Sequence, residues 1–176
     1  PTIVLYHADC ADGFGAAWAI WNQFPAARFI PVKHGNPPPA GLQDQRVVIV
    51  DFSYARETLE TMAAQTQALL VLDHHITAEK ALAGLPYAYF DMKKSGAVLA
   101  WEWAHDQPTP WLLDHIQDKD LWTWALPSSR EINAAVASYP FEYHRWSNFK
   151  QKELEQEGRA ILRYENELVS KLAAQA

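Results

Sequence analysis

Cysteine is nearly missing from this sequence: Cys10 is the only one in 176 residues. A single thiol rules out an intramolecular disulfide framework and fits a reducing cytoplasm. Positive charge is also scarce. Lys and Arg number 15 against 21 Asp and Glu, a formal net charge of −6. The chain therefore lacks the basic face with which proteins grip long nucleic-acid duplexes by their phosphates. No apolar run is long enough to span a bilayer, since the one near Trp18 is interrupted by Asn22 and Gln23, and no signal-peptide pattern is visible; no membrane association is expected. Neither the G-x-G-x-x-G fingerprint nor a Gly-Lys-Ser/Thr phosphate loop occurs. What is present is the composition of an ordinary globular chain, 49% hydrophobic and 20% charged. It carries 8 tryptophans, whose default place is the core.

Five short apolar runs read as buried strands: Thr2 to Tyr6, Arg28 to Val32, Arg46 to Val50, Ala68 to Leu72 and Tyr87 to Phe90. Helical patterns fall at about residues 14–24, 54–65, 95–104, 110–117, 128–137 and 147–173. Ser53 and Ser95 stand where N-caps of the second and third of these would stand. Strand, polar loop and helix in alternation predict an α/β fold. The expectation is a Rossmann-like, mostly parallel five-stranded sheet flanked by helices, with a helical C-terminal extension. A soft boundary near Asp106 to Pro110 separates an α/β core over 1–107 from a helical segment over 108–176, the two forming one unit. The last helix either covers the sheet or makes a homodimer contact.

The chemistry-bearing residues sit at strand ends. His7, Asp9 and Asp12 follow the first strand, Asp51 the third, and Asp73, His74 and His75 the fourth. Successive parallel strands bring such ends to one edge of the sheet, where α/β proteins bind ligands. Imidazoles beside carboxylates suit a transition metal such as Mn²⁺ or Zn²⁺. Asp118-Lys119-Asp120 ends a helix where the dipole prefers cations, and a nearby metal would resolve the misfit. The helix beginning at Ser95 offers its N-terminus either to a phosphate oxygen or only to its own cap.

His7-Ala8-Asp9-Cys10-Ala11-Asp12-Gly13, Val50-Asp51, Asp73-His74-His75 and Asp118 fall in the order of the four motifs of the DHH phosphoesterase superfamily, and over roughly its first 120 residues the chain resembles that superfamily. The resemblance implies a metal-dependent hydrolase acting on a phosphodiester of a short oligonucleotide or small nucleotide. It implies two divalent ions, Mn²⁺ foremost, with Mg²⁺, Co²⁺ or Zn²⁺ as alternatives. His7 and Asp9 would hold one ion; Asp12, His74 and Asp118 the other; Asp51 would bridge them. His75 would contact the scissile phosphate, with Asp73 orienting the pair from behind. An inorganic pyrophosphatase or polyphosphatase is the alternative within the enzyme class, and a metal-binding module or partner subunit with vestigial activity is the alternative outside it.

The chain departs from the family pattern in three places. The first motif is one residue shorter, with Cys10 where another residue is common. Asp120 competes with Asp118 in the fourth. No glycine-rich motif follows Gly96, the only later glycine being Gly158. Substrate contacts must then come from beyond Pro108, where Lys119, Arg130, Asn133 and Arg145 are the polar candidates, together with Ser95. Arg130 leads, because guanidinium clamps phosphate bidentately. Trp122 and Trp124 are read as core, with base stacking as the other use.

Overall fold

The computed structural model describes residues 2–174. Along its strands, side chains alternate between two faces, as the pleat requires. Ile3, Leu5, Val47, Ile49 and Val71 pack to one side, against Leu59, Met62 and Leu82. Val4, Val48, Val50 and Leu72 pack to the other, against Phe14, Leu113, Ile132 and Trp146. The strands are β1 (Thr2–His7), β2 (Arg28–Val32), β3 (Arg46–Val50), β4 (Ala68–Asp73) and β5 (Ala88–Phe90). They form one sheet in the order β2-β1-β3-β4-β5, with every neighbouring pair parallel. The α/β expectation holds, including the helical C-terminal segment.

The helices are α1 (Ala11–Gln23), α2 (Arg56–Gln65), α3 (Ile76–Leu82), α4 (Gly96–Ala104), α5 (Trp111–Asp120), α6 (Ser129–Ser138), α7 (Tyr143–Ser147) and α8 (Gln151–Ala173). Residues of α2 and α3 cover the first face. The second is covered by α1, α4 and the segment beyond residue 108, whose Leu112, Ile116, Ala135, Val136 and Leu154 share a core with Val4 and Phe14. Gly158 permits the tightest crossing there: a Cβ on it would lie 1.7 Å from the Glu131 carbonyl oxygen, so α8 meets α6 backbone to backbone.

Three local expectations are corrected. The last helix, α8, starts at Gln151 rather than near residue 147, and a separate short helix, α7, precedes it. A short helix, α3, follows directly on His75. Ser53 does not cap α2, whose N-cap is Ala55; its hydroxyl donates to Asp73 Oδ2 at 2.6 Å instead. No helix among the described residues is long and apolar enough to cross a membrane.

This topology decides where the site is. The chain leaves β1 for β2 on one side and returns to β3 on the other, so the connections diverge beyond the C-terminal ends of β1 and β3. Such a switch point opens a crevice at that edge.

Candidate metal centre

The residues at that crevice come from four elements. His7 ends β1, Asp12 lies in the first turn of α1, Asp51 follows β3, and His74 follows β4. Asp51 is 2% exposed and sits in the left-handed region with φ +61°, a conformation Asp tolerates better than most residues. Its two oxygens face different imidazoles. Oδ2 lies 3.5 Å from His7 Nδ1, and Oδ1 lies 3.1 Å from His74 Nε2. His74 Nε2 is also 3.5 Å from Asp12 Oδ2 and 3.6 Å from Asp120 Oδ2.

Glycines make this convergence sterically feasible. A Cβ on Gly96 would stand 2.6 Å from Asp51 Cβ, and one on Gly13 would stand 2.2 Å from the His7 carbonyl oxygen. The freed backbone at Gly96 has a second use. Gly96 N and Ala97 N, at the start of α4, donate to Asp12 at 2.6 and 3.0 Å. The N-terminus of α4 therefore anchors Asp12, a use beyond the two expected for it, a phosphate oxygen or its own cap. Ser95 is fully buried and caps α4, accepting from Val98 N. Its hydroxyl is spent on this cap, not exposed for the substrate contact expected of it.

Three carboxylates around one imidazole are electrostatically crowded. Burial, then the charges of Asp51 and Asp120, hold the Asp12 carboxyl well above the usual carboxylate range. Asp120 is raised by burial and by Asp51. Burial also works against the Asp51 carboxylate, but the neighbouring His7, His74 and Asp12 outweigh it and bring Asp51 to about 2. Burial disfavours the His74 imidazolium, yet Asp51, Asp12 and Asp120 together push it up to about 9. Both raised groups, His74 and Asp12, hold their protons more readily here, which offsets part of the negative charge. Asp51 Oδ2 is nonetheless buried without a hydrogen-bond partner among the described residues. An orphaned carboxylate oxygen amid imidazoles and acids fits a divalent cation, which would replace those protons.

Donor atoms of three overlapping groups lie within 4.8 Å of one another: His7, Cys10 and Asp51; Asp51, His74 and His75; Asp12, His74 and Asp120. Asp51 and His74 link them. No family model matches the chain. It is 30% identical, over 193 aligned positions, to the uncharacterized protein R106 of Acanthamoeba polyphaga mimivirus, covering 97% of this chain and 46% of that protein. The chain thus spans about half the length of that relative. Among solved structures it is similar to an uncharacterized protein from Helicobacter pylori G27, with a TM-score of 0.63 at 12% identity, over 92% of this chain and 61% of the other. At that identity the likeness concerns the α/β architecture.

Of the ligand candidates, His7, Asp12, Asp51 and His74 are brought together, and Asp9 and Asp118 are not. Asp9 sits in a turn with φ +57°; its side chain is 74% exposed and pairs with Lys33 Nζ at 2.9 Å. Cys10 stands beside His7 and Asp51 in its stead. Burial, with the Asp51 charge adding to it, pushes the Cys10 thiol up to about 11. Asp118 is buried on the far side of α5. It accepts from Thr123 Oγ1 at 2.6 Å, Ala125 N at 2.8 Å and Leu126 N at 3.1 Å. Burial opposes its charge, but these bonds prevail and hold its carboxyl at about 2. This cap on the loop after α5 resolves the misfit at the helix end. The residue that reaches His74 is Asp120, and helical spacing explains why. Ile116, Lys119 and Asp120 are three and four apart and share one face, whereas Asp118 is turned away from it.

Asp73, expected to orient the histidine pair, lies directly behind it. It is fully buried and accepts from His74 N at 2.8 Å, while its Oδ1 lies 2.6 Å from His75 Nδ1. That bond to Asp73 raises the His75 pKa, against burial. The ring is 52% exposed, and with Nδ1 engaged, Nε2 is the nitrogen left for a ligand.

Beside the centre lies a cavity of about 250 Å³ lined by Cys10, Ala11, Asp12, Ile116, Lys119, Asp120 and Trp122. Lys119 is where a substrate-binding cation would be. Arg130 is not: its guanidinium lies 4.4 Å over the Trp124 ring, and it does not line the cavity. Asn133 is buried and donates to the His115 and Ser129 carbonyls, and Arg145 pairs with Glu142. Trp122 overturns the expectation of core packing. It is 73% exposed, has φ +57° and stands at the rim of the cavity. Trp124 meets it edge-on at 5.3 Å.

Proposed function

We propose that the chain is a divalent-metal-dependent phosphoesterase that hydrolyses a phosphodiester bond of a short oligonucleotide or small nucleotide. One observation carries the reading: Asp51 turns one oxygen toward His7 and the other toward His74. A buried carboxylate so placed can bridge two cations, the arrangement that in-line displacement at phosphorus uses. The resemblance of the ordered motifs to DHH phosphoesterases supports the same chemistry.

His7 and Asp51 would hold one ion, and Asp12, His74, Asp120 and the other Asp51 oxygen would hold the second. When bound, two such ions, Mn²⁺ foremost, lower the pKa of water toward neutrality and offset charge on phosphoryl oxygens. The chain's own residues supply the rest. Gly96 N and Ala97 N hold Asp12 in place through the reaction. Asp73 fixes the His75 ring, so that Nε2 of the imidazolium, which the Asp73 bond favours, can donate a hydrogen bond where negative charge develops on a phosphoryl or leaving oxygen. Lys119 adds a positive charge at the cavity wall. The exposed Trp122 offers a face on which a base can stack, a feature that pyrophosphate would not use.

The test is a substrate panel with the Mn²⁺-loaded protein: a generic phosphodiester, dinucleotides, short RNA and DNA oligomers, cyclic dinucleotides and pyrophosphate. Diester hydrolysis is expected, and Asp51→Asn should reduce it to background while the variant remains folded. Turnover of pyrophosphate alone would overturn the substrate class. Full activity in Asp51→Asn would overturn the bridging role. Binding of Mn²⁺ without turnover of any substrate would leave a metal-binding module in place of an enzyme.

A further inference from the structure

We propose that Cys10 completes the His7–Asp51 position as a thiolate ligand, making it selective for a thiophilic ion such as Zn²⁺ and leaving the Asp12–His74–Asp120 position to a harder ion such as Mn²⁺ or Mg²⁺. The inference rests on the two-cation reading above and concerns which ion each position prefers.

Two independent observations point to it. First, the donor atoms of His7, Cys10 and Asp51 lie within 4.8 Å of one another. Second, the Asp51 oxygen nearest His7, Oδ2, is buried and has no hydrogen-bond partner among the described residues. The local backbone brings the sulfur there. Asp9 takes the left-handed conformation, and its carboxylate turns out to Lys33. Cys10 follows in extended conformation as the N-cap of α1, and its side chain makes no capping hydrogen bond. Ser, Thr, Asp or Asn would cap that helix better, so capping does not account for a cysteine at this position. Metal ligation does.

The two positions then differ in chemistry. Sulfur, imidazole nitrogen and one carboxylate make the soft donor set that zinc takes in tetrahedral sites. Three carboxylates and one imidazole make a harder set suited to Mn²⁺. As the sulfur–metal bond forms, the thiol proton leaves to solvent and no electron is transferred. The helix N-terminus beneath Cys10 favours the resulting negative charge. Cys10 lines the cavity, which gives an ion its route in.

Because the chain has one cysteine, a sulfur signal reports this residue alone. The metal-free protein is titrated with Co²⁺ and followed by absorption, with Cys10→Ser and Cys10→Asp in parallel. A thiolate-to-cobalt charge-transfer band is expected in the unaltered protein and should vanish in both variants, while the weaker visible cobalt bands persist from the second position. Competition titrations should show Zn²⁺ affinity falling in Cys10→Ser by more than the roughly 10–100-fold that loss of an outer hydrogen-bonding partner costs. In Cys10→Asp the preference for Zn²⁺ over Mn²⁺ should drop at least about tenfold, because the sulfur, not the geometry, supplies it. Cobalt binding without a charge-transfer band, or an unchanged Zn²⁺/Mn²⁺ ratio in Cys10→Asp, overturns the proposal. These outcomes are separable from the phosphoesterase reading: the band can appear in a protein that hydrolyses nothing, and hydrolysis can proceed in one that shows no band.

Discussion

Two aspartates two residues apart should fail in opposite ways. Asp118 accepts three hydrogen bonds that close the loop after α5, two of them from backbone N–H groups. Hydrogen bonds to a charged group contribute about 1.5–3 kcal/mol each. Ala125 and Leu126 are exposed, so water replaces part of what Asp118→Ala removes, and a net cost of about 3 kcal/mol is reasonable. For a chain of this size each kcal/mol moves Tm by roughly 2–4 °C, so Tm should fall about 6–12 °C. Asp120→Asn should leave the metal-free stability within about ±0.5 kcal/mol or raise it, because burial and Asp51 already disfavour the Asp120 charge. Mn²⁺ at about 100 times its Kd adds about 2.7 kcal/mol to a protein that binds it only when folded. That metal-induced rise should survive in Asp118→Ala and largely disappear in Asp120→Asn. Scanning calorimetry with and without Mn²⁺ reads both effects. Loss of the metal response in Asp118→Ala at an unchanged metal-free Tm, with the response kept in Asp120→Asn, would show that Asp118 and not Asp120 serves the centre. The acid limb gives a further check. The Asp118 carboxyl stands at about 2 against an ordinary 3.8. A depressed carboxyl contributes stability that is fully present above the ordinary value and is lost as pH falls through the folded one. Asp118→Asn should therefore flatten the stability profile between those two pH values.

Other outcomes follow from the same geometry. Trp122→Ala should raise KM for a dinucleotide by the ~1–3 kcal/mol that base stacking contributes, about 5–150-fold, with little change in Tm; an equal effect on pyrophosphate would show that Trp122 does not read a base. Asp73→Asn should return the His75 pKa toward the ordinary imidazole value, read by NMR titration. Because the Asp73 bond raises that pKa, the pair's contribution to stability is present below the ordinary value and lost as pH rises through the folded one; a His75 titration unchanged by Asp73→Asn would show that the bond is not formed in solution. Gly158→Ala should destabilise by about 1–3 kcal/mol or more in denaturant unfolding, since its Cβ would overlap the Glu131 carbonyl. A cost below about 0.5 kcal/mol, within the range of a surface change, would mean that α6 and α8 separate easily.

The sheet was legible because each strand is a short apolar run and each connection is long enough for a parallel crossover. Convergence of His7, Asp12, Asp51 and His74 followed from that topology, since parallel strands place their C-terminal ends together. The misplaced residues share a different cause. Asp9 and Asp118 have the right side chain at nearly the right spacing, but direction depends on a single backbone dihedral at Asp9 and on which side of a helix end Asp118 falls. Ser53 looked like a cap and serves Asp73 instead, a contact across 20 residues. Trp122 looked like core because tryptophan usually is; a left-handed turn after α5 lifts it to the surface.

By itself the sequence determined the α/β fold, the edge at which the acids and imidazoles gather, and the order of motifs that resembles a phosphoesterase. Hydrophobic periodicity and strand-end placement are local properties, and they survive folding unchanged. Only the tertiary structure decided which oxygen or sulfur faces the centre: Asp120 over Asp118, Cys10 over Asp9, and Asp12 over a phosphate at the start of α4. Those choices hang on approaches of a few ångströms between elements distant in the chain, such as Gly96 against Asp51, where the missing Cβ is what lets the helix and the strand end meet.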